Sequence, residues 1–330
     1  MKKRLLAAVS AFLLLCSVSG CSGSRAGAGK ISEKWFLMDT VVSVTLYDSS
    51  DGEILRGCFE ELARCDRLWS RTDPESEIYL LNLGEIFEVS EETSELLKKA
   101  LYFSELSDGA FDVTICPVSK LWSFKSGGTV PDEAAVAEAL RRVGYKNMTV
   151  TEQNEVIFSV SGMETDLGGI AKGYAADRLK EYLLEQGVKS ALINLGGNTL
   201  CIGEKPDGSP FRVGIQYPFK GQNEIIAVLQ IRNMSVVTSG IYERSFERDG
   251  VLYHHLLDPA TGYPVNNELL SVSIICKSSA DADALSTACF VLGLDKGMEL
   301  INGMDGYYAV FITKDCELHF SEGAEDFLAQ

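Results

Sequence analysis

The order of apolar and polar positions along the chain predicts an α+β domain. Residues 35–47 contain the alternating run Val-Val-Ser-Val-Thr-Leu-Tyr, a half-buried strand ended by Asp-Ser-Ser-Asp-Gly. Behind it Leu55, Cys58, Phe59, Leu62, Cys65 and Trp69 recur at helical spacing, and a second amphipathic helix is expected over about 91–106. Residues 131–143 read as a third helix, with Pro131 near its first turn and Gly144 beyond its end. Residues 145–160 read as a hairpin turning at Glu152-Gln153-Asn154. The clearest helix spans 170–186: Ala171, Ala175, Leu179 and Leu183 form one stripe, and Gly187 follows as a stop.

Beyond it the pattern predicts short strands near 191–202, 211–217, 225–231, 251–257 and 270–276, two helical pieces over 281–302, and a last strand at 307–313. Strands and helices do not alternate regularly, which argues against a doubly wound parallel sheet and for a mixed or antiparallel sheet with helices packed on it. No repeat, low-complexity stretch or charge block interrupts residues 31–330, so the expectation is one two-lobed domain over 35–330.

The first twenty residues stand apart. Lys2, Lys3 and Arg4 precede a twelve-residue apolar run, Leu5 to Cys16, too short to span a bilayer, and this reads as an export signal. Its end, Val18-Ser19-Gly20-Cys21, resembles a bacterial lipobox, which would make Cys21 the lipidated first residue of the mature chain. Residues 21–34 then serve as a tether, since Ser-Gly-Ser-Arg-Ala-Gly-Ala-Gly is flexible and featureless. The expected location is the outer face of the cell membrane, held by the lipid.

Charge narrows the partners. The chain carries 47 acidic and 30 basic residues, and loss of Lys2, Lys3 and Arg4 with the signal takes its formal charge from −17 to −20. Such a field disfavours nucleic acid. Of nine cysteines, Cys16 and Cys21 belong to the signal and anchor. The remaining seven are odd in number and lack a C-x-x-C pair, so neither a disulfide framework nor a zinc site is indicated, and most sit in apolar runs as core residues do.

Four segments carry candidate chemistry. Asp166-Leu167-Gly168-Gly169-Ile170-Ala171-Lys172-Gly173-Tyr174 places two glycines where the clearest helix starts. Bare amides there suit a phosphate, with Asp166 as a cap and Lys172 as a cation; a capped helix with a tight packing turn fits the same residues. Asn194-Leu195-Gly196-Gly197-Asn198 lets the backbone approach either a ligand or another strand. In Ala280-Asp281-Ala282-Asp283-Ala284-Leu285-Ser286-Thr287-Ala288, Asp283 and Thr287 are four apart and share a helix face, offering hard oxygens to Mg²⁺. The same acids also read as first-turn residues favoured by the helix dipole. The fourth segment, His254-His255-Leu256-Leu257-Asp258-Pro259-Ala260-Thr261-Gly262-Tyr263-Pro264, holds two of the three histidines. Adjacent strand residues face opposite ways, so at most one points into a given site, as a general base with Asp258 as orienter or as a structural residue of the turn.

Taken in chain order, these segments resemble the ApbE family of flavin transferases. So do Met38-Asp39-Thr40, Trp69-Ser70-Arg71-Thr72-Asp73-Pro74-Glu75-Ser76-Glu77, Ser107-Asp108-Gly109-Ala110-Phe111-Asp112 and Val237-Thr238-Ser239-Gly240-Ile241-Tyr242-Glu243-Arg244. The resemblance implies a fold related to the T-fold and transfer of FMN from FAD to a Thr or Ser hydroxyl of an acceptor protein, with release of AMP. It implies FAD contacts at Met38, Ala110, Phe111, Asp112, Asp166, Lys172 and Leu257, and Mg²⁺ held by Asp283, Thr287, a backbone oxygen of Gly169 and Ser286. His255, Asp283 and Lys172 would act in catalysis. Thr72 departs from the family, which often has an aromatic residue there near the flavin ring. Expected acceptors are membrane electron-transport subunits of NADH:quinone or ferredoxin:NAD ion pumps, or other exported flavoproteins with a Thr/Ser acceptor motif. FAD hydrolysis to FMN and AMP, and FAD binding without chemistry, are the alternative activities.

Overall fold

The computed structural model describes residues 29–124, 128–221 and 224–329. The export signal and Cys21 lie outside them. Strands β1 (Ile31–Leu37) and β2 (Thr40–Leu46) form a hairpin, so the chain is already strand at Ile31 and the expected tether ends before it. The sequence pattern joined the two strands because their turn, Met38 and Asp39, contains neither Gly nor Asn. Both residues take left-handed backbone, φ 52° and 60°, the geometry a two-residue hairpin turn demands.

Helix α1 (Gly52–Trp69) starts where the Asp51 carboxylate accepts from the Glu53 amide at 2.9 Å, and it buries Leu55, Cys58, Leu62, Cys65 and Trp69. Ser76 and Ser90 cap α2 (Glu77–Leu83), which the sequence pattern did not separate, and α3 (Glu91–Leu106). Then come α4 (Cys116–Ser119), α5 (Glu133–Leu140) and the expected hairpin of β3 (Met148–Val150) and β4 (Val156–Phe158), with Asn154 left-handed in its turn. Helix α6 (Ala171–Glu185) follows. The run expected at 191–202 is two strands, β5 (Ala191–Leu195) and β6 (Asn198–Ile202), turning at Gly196 and Gly197. After β7 (Phe211–Gln216) and β8 (Ile225–Ile231) come β9 (Ser235–Gly240), β10 (Ser245–Arg248), β11 (Val251–His254) and β12 (Leu269–Cys276). The described chain ends with α7 (Ser279–Leu292), α8 (Leu294–Asn302), β13 (Tyr308–Thr313) and β14 (Leu318–Phe320).

Eight strands form one antiparallel sheet in the order β1-β2-β5-β6-β9-β12-β13-β14. Every residue of β12 is buried, as a central strand covered on both faces requires, whereas β2 buries only Val42, Val44 and Leu46. A smaller cluster of Val118, Trp122, Ala139 and Leu257 forms beneath the β10–β11 hairpin, where Trp122 stacks on Phe124 and Phe246 on Tyr253. All seven cysteines in the described residues are free, and all but Cys316 are buried. Among the described residues no helix is long and apolar enough to cross a membrane.

The sheet brings three turns to one end. Pairing of Val42 with Leu195, and of Asn198 with Val237, aligns the Met38–Asp39 turn, the Gly196–Gly197 turn and the end of β9. The first two touch: a Cβ on Gly196 would stand 2.1 Å from Thr40 Oγ1, so only glycine fits between them. Helix α7 runs alongside β9, with Ser279 bonded to Ser235 at one end and Ser286 to Ser239 at the other. Four residues of strand and seven of helix both span about 10–13 Å, so the two elements stay in step.

Candidate active site

The polar centre forms where the start of α6, the first half of α7 and the end of β9 converge. Buried Asp283 accepts the Gly173 amide of α6 at 2.9 Å through Oδ2, while its Oδ1 lies 3.7 Å from Lys172 Nζ. Lys172 also donates to the Gly168 carbonyl at 3.1 Å. Ser239 Oγ stands 2.8 Å from Ser286 Oγ and 3.3 Å from Thr287 Oγ1. A Cβ on Gly169 would lie 3.0 Å from Phe111 Cε2 and 3.6 Å from Thr287 Oγ1, so the Gly169 backbone is pressed between these two side chains.

Two sequence expectations need correction here, the Asp166 cap and the Asp258 orienter. Asp166 does not cap α6, which begins five residues later with no side-chain cap at Ile170. Its Oδ1 accepts from the Gly168 amide at 3.0 Å, closing a turn, and its Oδ2 meets Ser119 Oγ at 3.0 Å and Arg71 Nε at 3.5 Å. The Asp112 carboxylate is tied to the protein, Oδ1 accepting from the Thr114 amide and hydroxyl and Oδ2 from the Tyr145 amide, and so holds the loop that presents Ala110 and Phe111. Ser286 is fully buried, and its hydroxyl donates to the Asp283 carbonyl at 2.9 Å. Asp258 does not orient His255; it accepts from the Ala260 amide and the Thr261 hydroxyl within its own Pro-Gly turn.

Of the remaining expected residues, Leu257 packs in the smaller core, paired across a bridge with Pro264. Met38 sits in the β1–β2 turn, its amide donating to Asp66 Oδ2 at 3.2 Å. Ala110 lines a cleft of about 620 Å³ together with Ser107, Asp258, Val291, Leu292 and Lys296. Thr72 is exposed, its amide bonded to Ser70 Oγ.

The two histidines, the last residue of β11 and the one after it, have different partners. His254 is buried against Phe290, with Nε2 donating to the Val265 carbonyl at 3.0 Å and Nδ1 unpartnered. Burial lowers its pKa to about 4. His255 lies in the field of Arg244 and Lys172, its amide bonded to the Arg244 carbonyl, and burial first, then those cations, push its pKa down to about 3. Its imidazole is therefore neutral across the physiological range.

Glu243 was not singled out from the sequence, although it lies within a matching segment. The residue is exposed. Desolvation pushes its pKa up to about 7, with Asp283 adding to the rise and Lys172 and Arg244 opposing it. Ser239 was also missed; its partners lie 47 and 48 residues away, beyond any local spacing rule. A second acidic grouping, Glu61, Cys65 and Glu92, is filled by Arg64 and Arg178 and is an ion-pair network.

Asp283, Thr287 and the Gly169 carbonyl are hard oxygen donors. Asp283 accepts a single close hydrogen bond, leaving lone pairs free, and the set fits a small divalent cation beside a phosphate. Lys172, Arg244 and a neutral imidazole add charge neutralisation and a proton acceptor.

Known proteins share this arrangement of segments. The sequence profile of the ApbE family matches residues 38–312. The FAD:protein FMN transferase of Treponema pallidum is 36% identical over 335 residues, covering 95% of this chain and 92% of its own length; one from Klebsiella pneumoniae is 37% identical over 290 residues, covering 86% and 90%. Among solved structures, the ApbE protein of Thermotoga maritima superposes with a TM-score of 0.85 at 34% identity, over 92% of this chain and all of its own. The flavin transferase ApbE of Vibrio cholerae gives 0.82 at 26% identity, over 91% and 100%. Since the match runs from the Met38 turn into β13 and so takes in every segment of the polar centre, the chain belongs to the ApbE family.

Proposed function

We propose that this chain is an FAD:protein FMN transferase that moves the FMN half of FAD onto a Thr or Ser hydroxyl of an acceptor protein. The observation that carries the reading is the Lys172–Asp283 pair one helical turn from Thr287, whose hydroxyl meets Ser239, with neutral His255 in the field of Lys172. This is equipment for a diphosphate. A bond forms between the acceptor oxygen and the FMN-side phosphorus, and the bond from that phosphorus to the bridging oxygen breaks, its electron pair leaving with AMP. The acceptor's proton passes to His255. Burial, then Arg244 and Lys172, hold that imidazole's pKa down; a bound diphosphate opposes the cations' field and makes it a better base. Lys172 offsets charge on the phosphate oxygens.

Asp283, Thr287, the Gly169 carbonyl and Ser286 would hold Mg²⁺. When bound, Mg²⁺ supplies Lewis-acid neutralisation of the charge that develops on the departing phosphate. FAD contacts at Met38, Ala110, Phe111, Asp112, Asp166, Lys172 and near Leu257 belong to the same reading. So does a lipid anchor at Cys21 on the outer face of the membrane, within reach of exported acceptors such as electron-transport subunits.

The test is to incubate the protein with FAD, Mg²⁺ and an acceptor protein, then measure flavin fluorescence that survives denaturation and an added mass of one FMN less one water. Free FMN and AMP without labelling would make it a hydrolase. Recovery of intact FAD would make it a binder.

A further inference from the structure

Helices α6 and α7 cap each other. The Gly173 amide in the first turn of α6 donates to Asp283 Oδ2 on α7 at 2.9 Å. In return Asp177, one turn further along α6, accepts the first two amides of α7: Ser279 at 2.8 Å on Oδ1 and Ala280 at 3.0 Å on Oδ2. It also takes Ser278 Oγ at 2.9 Å. First-turn amides have no intrahelical acceptor and carry partial positive charge, so a carboxylate from the neighbouring helix answers both needs. Gly173 and Asp177 are four apart and share a face, as do Ser279 and Asp283 on the other helix. The two carboxylates thus bind the helices reciprocally at their crossing.

No other acid in this corner can replace Asp177. Asp281 is engaged by Lys99 at 2.6 Å, Ser278 Oγ at 2.9 Å and Tyr307 OH at 2.7 Å, which tie α7 to α3 and to the segment before β13. The Oγ of the α7 cap Ser278 already accepts the Asp281 amide, at 3.2 Å. Without Asp177 the amides of Ser279 and Ala280 lose their acceptor, the first turn of α7 loosens, and Asp283 in the next turn is freed from Gly173. Its Oδ1, now 3.7 Å from Lys172, can then close onto that lysine and occupy the space a cation needs.

We propose that Asp177 is a positioning residue of the active site: by clamping the start of α7 to α6 it fixes Asp283 at its distance from Lys172 and keeps it available to a divalent cation. The proposal rests on the reading of Asp283 given under Proposed function.

The test uses the full chain with Asp177→Ala and with Asp177→Asn, which keeps one acceptor oxygen. Two readouts apply: amide hydrogen exchange, and binding of Mn²⁺ alone followed by electron paramagnetic resonance. Exchange at Gly173, whose amide bonds Asp283 and not Asp177, is expected to accelerate at least ten-fold in the Ala variant. The Mn²⁺ Kd is expected to rise at least ten-fold, with Asn intermediate in both. Leu183→Ala, which weakens α6 away from the crossing, should leave the Mn²⁺ Kd unchanged. If only Ser279 and Ala280 lose protection while Gly173 exchange and the Mn²⁺ Kd stay as in the wild type, Asp177 is a local cap and the proposal falls. If wild-type protein binds no Mn²⁺ and labels no acceptor, the reading of the site fails instead, and Gly173 exchange still decides whether Asp177 positions Asp283.

Discussion

Gly173→Ala tests how tightly the α6–α7 crossing is set. A Cβ at that position would stand 2.2 Å from the Ser279 carbonyl oxygen, 2.6 Å from its carbon and 2.7 Å from Ala280 Cα. These are backbone atoms, so no side chain can turn away, and the helices must separate by about 1 Å to restore contact near 3.5 Å. Overpacking of this kind costs about 1–3 kcal/mol. The same movement stretches the 2.9 Å bond from Gly173 to Asp283 past useful length, and a hydrogen bond to a charged group contributes about 1.5–3 kcal/mol. Alanine's better helix propensity returns about 1 kcal/mol. The net expectation is a loss of about 3 kcal/mol, read from urea midpoints at constant slope, with transferase activity lost along with the Asp283 contact. Gly52→Ala is the control, because nothing lies within 4 Å of a Cβ there, and its midpoint should match or exceed the wild type. Should Gly173→Ala unfold at the wild-type midpoint and keep its activity, the crossing is not set by backbone contact and the account of Asp283 placement is wrong.

Further outcomes follow from the same geometry. His254 has a folded pKa of about 4 against an ordinary value of 6.5, because its buried Nδ1 has no acceptor for a proton. The unfolded chain therefore takes up that proton first as the pH falls. Stability present above pH 6.5 should decline towards pH 4, by about 2 kcal/mol at pH 5 from this group, and urea melts of His254→Phe should lack that share of the loss. Glu243 titrates near pH 7 beside the groups assigned to the diphosphate, so FAD affinity measured by fluorescence should fall as pH rises through 7, and Glu243→Gln should remove the fall. Asp283→Ala should abolish acceptor labelling. His255→Ala should slow it by about 10²–10⁴-fold, and an unchanged rate would remove His255 as the base.

Much of the fold is legible along the chain because its elements declare themselves locally. The stripe of Leu55, Cys58, Leu62, Cys65 and Trp69 is a short-range signal that the structure uses as written. Errors arise where the local signal is silent or shared. Met38 and Asp39 turn without glycine, so two strands read as one. Asp166 before two glycines has the spacing of a helix cap, yet an Asp-X-Gly turn uses the same carboxylate-to-amide bond and the helix starts later. The strand from Ser235 to Gly240 is short and its polar residues do not alternate, and the Ser235 and Ser239 hydroxyls acquire meaning only against α7.

The site is less legible for a reason of distance along the chain. Spacing shows that Asp283 and Thr287 share a face, but Gly173 and Asp283 are 110 residues apart, and Asp177 lies 102 from Ser279. Which face meets which is decided by the sheet order and by one glycine where two helix backbones touch. The same separation resolves how a chain of formal charge −17 can receive an anionic substrate. Lys172 and Arg244 oppose Asp283 and Glu243 at short range, where the low dielectric of a cleft amplifies each charge. Most of the surplus acids stand on exposed surface, where water and salt screen them within about 10 Å. The local balance, read from four side chains on separate segments, sets the sign that a phosphate meets.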